Sequence, residues 1–190
     1  VSAPDHRDGA PAPSVRELTE HLRAAGAEVE GPVPAPDAAA AAVELTAAAP
    51  RGAVALGAGE RRLEALGVPE ALRAAGRDLV RPGAADHRAR LAAAAVGLTG
   101  AELAVAETGS LVLAAGPGRP RLVHLLPARH VCVVELSAVR PTLADALAEI
   151  DPRSSSAWQF VSGPSRTSDL EMRPILGVHG PLSLAVLLVG

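Results

Sequence analysis

The chain has 190 residues, 48% of them hydrophobic and 21% charged, with a formal net charge of −3, which fits one globular domain. Arginine supplies all 18 cationic side chains and lysine is absent, so lysine Schiff-base and Walker-type phosphate chemistry is excluded. Trp158 and Phe160 are the only aromatic residues and Cys132 the only cysteine, which excludes an aromatic platform for single strands, an internal disulfide and a thiolate-bound zinc or iron–sulfur site.

The first thirteen residues, rich in Pro, Ala and Asp, read as a flexible arm without the apolar core of a signal peptide. Residues 14–190 then read as a single domain. Ser14 and Glu17 form a capping-box pattern, and Val15, Leu18 and Leu22 recur at helical spacing, so a helix is expected up to Gly26. The proline-rich stretch 31–36 reads as a connector. Asp37 is positioned to cap an alanine helix that Pro50 ends. That helix is apolar but short, and Glu44 interrupts it, so no membrane insertion is expected. With a lone cysteine and no export signal, the expected compartment is the cytoplasm.

Ala53 to Leu56 reads as a buried strand ending in Gly57 and Gly59, followed by helices over 60–66 and 69–75, a brief strand at Leu79 and Val80, and a helix over 86–95. Leu111 to Ala115 reads as a strand, 116–120 as a turn, and Arg121 to His124 as its hairpin return. Val131 to Glu135 is the next strand, Pro141 opens a helix to Ile150, and the last strands are Trp158 to Val161 and Leu184 to Val189. This alternation predicts an α/β three-layer fold with a parallel or mixed sheet of six to eight strands between helices. Aliphatic side chains must supply its core, and alanine, at 41 positions, lets helices approach the sheet closely.

Ligands in open α/β sheets sit in the crevice at strand ends, and four segments put polar residues and glycines there. In the first, Thr99 and Gly100 precede Glu107, Thr108, Gly109 and Ser110. Glu107 lies between apolar runs, as a carboxylate that serves as acid, base or nucleophile does, or as a turn residue paired with an arginine. Thr108 and Gly109 offer a hydroxyl and an open amide to an anion. In the second, Ser162, Gly163, Ser165, Arg166, Thr167 and Asp169 lead into a capping-box pattern from Ser168 to Glu171, which predicts a helix start able to hold a phosphate or carboxylate, or a turn whose hydroxyls only cap. The third offers His179 for proton transfer on a loop before the last strand, or a solvated histidine. In the fourth, His130 leads into a strand and either faces the same crevice or satisfies a carbonyl. The six histidines show no metal-binding spacing, Cys132 reads as a core residue, and Gly57-Ala-Gly59 lacks the third glycine of a dinucleotide loop. The net charge gives no reason to expect nucleic acid.

Taken together, GLTGAELAVAETGSLVL, LLPARHVCVV, SGPSRTSDLE and GVHGP, in that order, resemble the LUD-domain family of lactate-utilisation protein C over roughly residues 80–190. Ala128 stands where the family usually has the second proline of its histidine segment. The resemblance implies an α/β fold of the NagB/RpiA/CoA-transferase-like group and a role in a bacterial system oxidising L-lactate to pyruvate. It also implies that iron–sulfur clusters lie on partner subunits, with no cofactor in this chain, and that a small carboxylate or phosphate is bound. Glu107 and His179 are the catalytic candidates, and Thr99, Gly100, Thr108, Gly109, His130, Ser162, Gly163, Ser165, Arg166, Thr167 and Asp169 the ligand-binding ones. The alternatives are a freestanding carboxylate-dependent isomerase or acyl/CoA-transferase-like enzyme and a non-catalytic scaffold or regulatory subunit.

Overall fold

A computed structural model describes residues 12–49, 52–81, 87–168, 174–176 and 179–190. The expected arm falls almost wholly outside them, as do Pro50, Asp86, Asp169 and Glu171. The helices are α1 (Pro13–Ala24), α2 (Ala38–Ala47), α3 (Arg61–Ala65), α4 (Val68–Ala74), α5 (His87–Ala93), α6 (Leu122–Leu125) and α7 (Leu143–Glu149). The main sheet contains β1 (Glu28–Val33), β2 (Val54–Leu56), β3 (Leu79–Val80), β4 (Val96–Gly100), β7 (Arg129–Glu135) and β12 (Ser183–Val189). All its pairings are parallel, in the order β1-β12-β7-β4-β2-β3. A four-stranded sheet is built from β5 (Leu103–Val105), β6 (Ser110–Ala115), β8 (Val139–Arg140) and β9 (Ala157–Val161), and β10 (Arg166–Ser168) pairs with β11 (Pro174–Leu176) as a hairpin.

The pleat of the central strands divides the core. On β7 and β12, Val131, Val133, Ala185, Leu187 and Val189 face α2, α3 and α4, while Cys132, Val134, Leu184, Val186 and Leu188 face α1 and the second sheet. On α2, Ala38, Ala42, Leu45 and Thr46 are buried, one helical stripe of mostly small residues against the sheet. α7 covers the outer face of the second sheet, where Ala146 packs on Leu103, Val105 and Val112. The α/β architecture with a parallel sheet and flanking helices is therefore present, with a second small sheet forming part of one flank.

Several local expectations change. α1 begins at Pro13, whose fixed φ suits the first helical position, so Ser14 lies inside the helix rather than at its cap. Residues 31–33 belong to β1 instead of a connector. A proline is tolerated there because β1 pairs only with β12, as an edge strand, and the register breaks between Glu30 and Val33. Asp37 precedes α2, but its side chain makes no cap hydrogen bond. Residues 122–125 form a helical turn rather than a hairpin return, since both edges of β6 are already paired, with β5 and β9. The helix expected from Pro141 starts at Leu143, with Thr142 and Asp145 forming its capping box. Ser168 ends β10, where Arg166–Ser168 pairs with Pro174–Leu176, and the helix expected after it, from Asp169 through Glu171, lies outside the described residues.

Candidate functional site

The chain runs outward from β2 to the edge strand β3, then returns past β2 to β4, and from there proceeds the other way through β7 to β12. The direction of winding thus reverses between β2 and β4. Connections leave a crevice outside the carboxyl ends of two such strands. Glu60, four residues beyond the end of β2, lies in this crevice and is only 7% exposed. Its Oε2 accepts a hydrogen bond from the Gly100 amide at the end of β4, at 3.0 Å. Burial pushes the carboxyl up to about 7, against the Gly100 hydrogen bond and the guanidiniums of Arg119 and Arg62, while Glu102 raises it further.

Above Glu60 lies a cleft of about 470 Å³, whose charged lining is Glu60, Arg61, Arg62, Glu102 and Arg119. Arg62 and Arg119 both pair with Glu102, the former at 3.5 Å, and Arg62 also reaches Glu135 at 3.9 Å. The cleft floor depends on a close backbone approach. A Cβ on Gly57 would come within 2.7 Å of the Gly118 carbonyl oxygen, and the Gly59 amide donates to that same oxygen at 3.0 Å. Sequence reasoning missed Glu60, Arg61, Arg62, Glu102 and Arg119. The available signal was the Gly57-Ala-Gly59 pair directly after a buried strand, with an acid next.

Among the expected site residues, only Gly100 contributes to this cleft. Its neighbour Thr99 is buried under the opposite face of the sheet, hydrogen-bonded to His130 at 2.9 Å, with its hydroxyl 3.7 Å from Cys132 Sγ. His130 is 2% exposed and its ring lies 5.5 Å from that of buried His124. Burial holds both imidazoles neutral, lowering His124 to about 4 and His130 to about 3, and pushes the Cys132 thiol up to about 12. Cys132 is the core residue its setting in an apolar strand predicted.

Several of the remaining candidates gather around the C-terminal end of α1, beside the amino ends of β1, β7 and β12. Thr108 donates to Ser110 at 2.8 Å, and the Ser110 and Ser162 hydroxyls are hydrogen-bonded at 2.6 Å. His21 Nδ1 donates to the Ala106 carbonyl at 2.8 Å. Gly109, at φ +61°, sits so close to α1 that a Cβ would lie 2.7 Å from the Cβ of His21. Gly163 packs on Ala25, and exposed Arg166 donates to the Ala25 carbonyl. The Ser165 amide donates to Pro181 at 2.9 Å, beside Gly180. His179 is exposed. Thr167 is in β10, and Asp169 lies outside the described residues. Glu107 is exposed and accepts from the Leu143 amide at 2.6 Å, supplementing the N-terminal cap of α7. Three groups therefore stand apart: Gly100 at the Glu60 cleft, Thr99 with His130 in a sealed layer, and the hydroxyl and glycine motifs along α1.

Among the described residues, no cluster of three or more His, Cys, Asp or Glu side chains could hold a metal ion. No helix among them is long and apolar enough to cross a membrane.

Comparison with known proteins adds the following. A sequence pattern for the LUD domain matches residues 15–189. A "Lactate utilization protein C" of Deinococcus radiodurans is 34% identical over 160 residues, covering 81% of this chain and 75% of that protein. A protein of the same name from Exiguobacterium is 39% identical over 100 residues, covering 50% of this chain. That alignment takes in 44% of the relative, so the chain spans less than half the length of several curated relatives it matches. The crystal structure of a DUF162 family protein from Deinococcus radiodurans superimposes with a TM-score of 0.67 over 93% of this chain and 96% of that one, at 22% identity. This likeness shows the fold.

Proposed function

This chain belongs to the LUD domain family, and we propose on that premise that it is a cytoplasmic component of a bacterial system oxidising L-lactate to pyruvate. The observation that carries the proposal is the 34% identity to a lactate utilization protein C along 81% of the chain. Oxidation of lactate releases two electrons and two protons. The single cysteine offers no ligand set for an iron–sulfur cluster. In this reading a partner subunit carries the clusters and takes the electrons, while this chain binds a small anion in the crevice between β2 and β4. Support for that location comes from the winding reversal and from three guanidiniums lining the cleft. Glu107, Arg166 and His179, all exposed, remain candidates for a ligand or partner contact on the other side of the domain.

Deleting the gene from its host and growing the cells on L-lactate as sole carbon source tests the reading. Growth is expected to fail and to return with the intact gene, and tagged chain is expected to co-purify with iron–sulfur polypeptides. Undiminished growth on lactate overturns it. The buried Glu60 carboxyl favours one second reading, a freestanding carboxylate-dependent enzyme of the isomerase or acyl/CoA-transfer kind. Turnover of a coenzyme A thioester or sugar phosphate by the purified chain alone, lost in Glu60→Gln, would establish it.

A further inference from the structure

Glu60 combines three properties that a structural carboxylate does not need. It is buried, it stands at the winding reversal, and it opens on a cleft whose other charged groups are mostly cationic. The groups facing it come from every neighbouring element: Arg61 and Arg62 from α3, Arg119 from the turn after β6, Glu102 from the link between β4 and β5, and Glu135 at the end of β7, behind Arg62. Glu102 is already engaged by Arg62 and Arg119, so the cleft has no uncommitted ionised acceptor for a cation. Arg61, by contrast, has no hydrogen-bond or ion-pair partner among the described residues and is exposed at the rim. The cleft is thus built to receive negative charge.

We propose that this cleft binds a small monocarboxylate together with a proton, the protonated Glu60 donating a hydrogen bond to the anion while the arginines of the rim neutralise it. The inference rests on the reading of the crevice as the anion site and adds the ligand class and the coupling. Oε2 of Glu60 is held by the Gly100 amide, and Oε1 has no hydrogen-bond partner among the described residues, so Oε1 carries the proton. An O–H donated to a carboxylate is among the stronger hydrogen bonds, and a guanidinium fork matches the planar carboxylate. With Glu60 ionised, the same oxygen repels the anion. Because the carboxyl changes state near pH 7, occupancy of the cleft responds to pH within the neutral range.

Calorimetric titration of the intact chain with L-lactate and with pyruvate, from pH 5.5 to 8.5, tests the proposal. Affinity is expected to be constant at the acid end and to fall about tenfold per pH unit above 7. Glu60→Gln, a neutral donor of the same shape, is expected to bind equally at all pH values, and Arg119→Ala to bind at least about tenfold more weakly. Titration of the unaltered chain at pH 8 in buffers of different ionisation enthalpy is expected to show uptake of nearly one proton per carboxylate bound, and none at pH 5.5. This keeps the test decisive if a variant fails to fold. No carboxylate binding, pH-independent binding, absence of proton uptake, or tighter binding of inorganic phosphate than of either carboxylate at pH 6 each overturns the proposal. Because growth on lactate is measured separately, a chain that supports growth but fails this titration overturns the coupling and leaves the functional reading standing.

Discussion

At the carboxyl ends of β2 and β4 one carboxyl is buried beside an open cleft of about 470 Å³ lined by arginine. At the amino ends of β7 and β12 two imidazoles are buried beside a void of about 40 Å³, near Gly163, Pro181 and Leu184. At both ends burial favours the neutral form of an ionisable group, yet the two differ in access and in sign. Glu60 can be neutralised by taking a proton or served by a ligand. His124 and His130 are held neutral chiefly by loss of solvation, with the Arg121 guanidinium further disfavouring a proton on His124. Burial alone therefore does not mark a site; burial next to room for a ligand does.

The largest expected effect that tests this contrast is pH-dependent stability. Glu60 binds a proton more readily when folded, so its contribution is complete below pH 4.5 and is lost as the pH rises to about 7. His124 and His130 are neutral when folded, so their contribution is complete above pH 6.5 and is lost as the pH falls toward about 4 and 3. Between pH 6.5 and 4.5 two imidazoles oppose one carboxyl, and below 4.5 they act unopposed. Urea denaturation should show stability falling with acid by at most ~1.4 kcal/mol per pH unit in the first interval, for a total of about 4 kcal/mol down to pH 4. Stability independent of pH from 7 to 4.5 would remove the contrast.

Next in size, Gly109→Ala forces a Cβ into the left-handed region and against α1, and should cost about 3 kcal/mol in the same assay. A loss under about 1 kcal/mol would mean that α1 is not tightly docked against the turn at Gly109. Glu60→Gln should act in the opposite direction, raising stability at pH 8 by ~2–3 kcal/mol, because the buried negative charge is gone, and doubling the acid slope between pH 6.5 and 4.5. Ser162→Ala, which leaves Ser110 with one hydroxyl partner fewer, should cost about 1 kcal/mol without affecting carboxylate binding at the far end of the sheet. An effect of Ser162→Ala on that binding would show that the two ends communicate.

Strand legibility varied for physical reasons. The apolar runs at 53–56, 111–115, 131–135 and 184–189 are buried on both faces, or nearly so, and such strands read as continuous hydrophobic segments. β1 was hidden by its proline, and β4 by glycines and a threonine that look like a loop. The hairpin of Arg166–Ser168 with Pro174–Leu176 was also hidden, because its strands are only three residues long and the first follows turn-forming residues. At the site, Gly100 was legible as a strand-end glycine. Glu60 was not, because its burial depends on Gly100 and Arg119, 40 and 59 positions further along the chain.

Composition excluded lysine, disulfide and cluster chemistry before any fold was known, and the alternation of apolar runs with helical segments indicated an α/β domain. The ordered glycine, serine and histidine motifs indicated the family that the comparisons then showed. Tertiary structure alone decided at which end of the parallel strands each group lies. Thr99 and Gly100 are adjacent in sequence, yet one is sealed with His130 and the other faces the Glu60 cleft. A strand sends successive residues to opposite faces, and distant segments determine whether each face is closed by a helix or left open to a ligand.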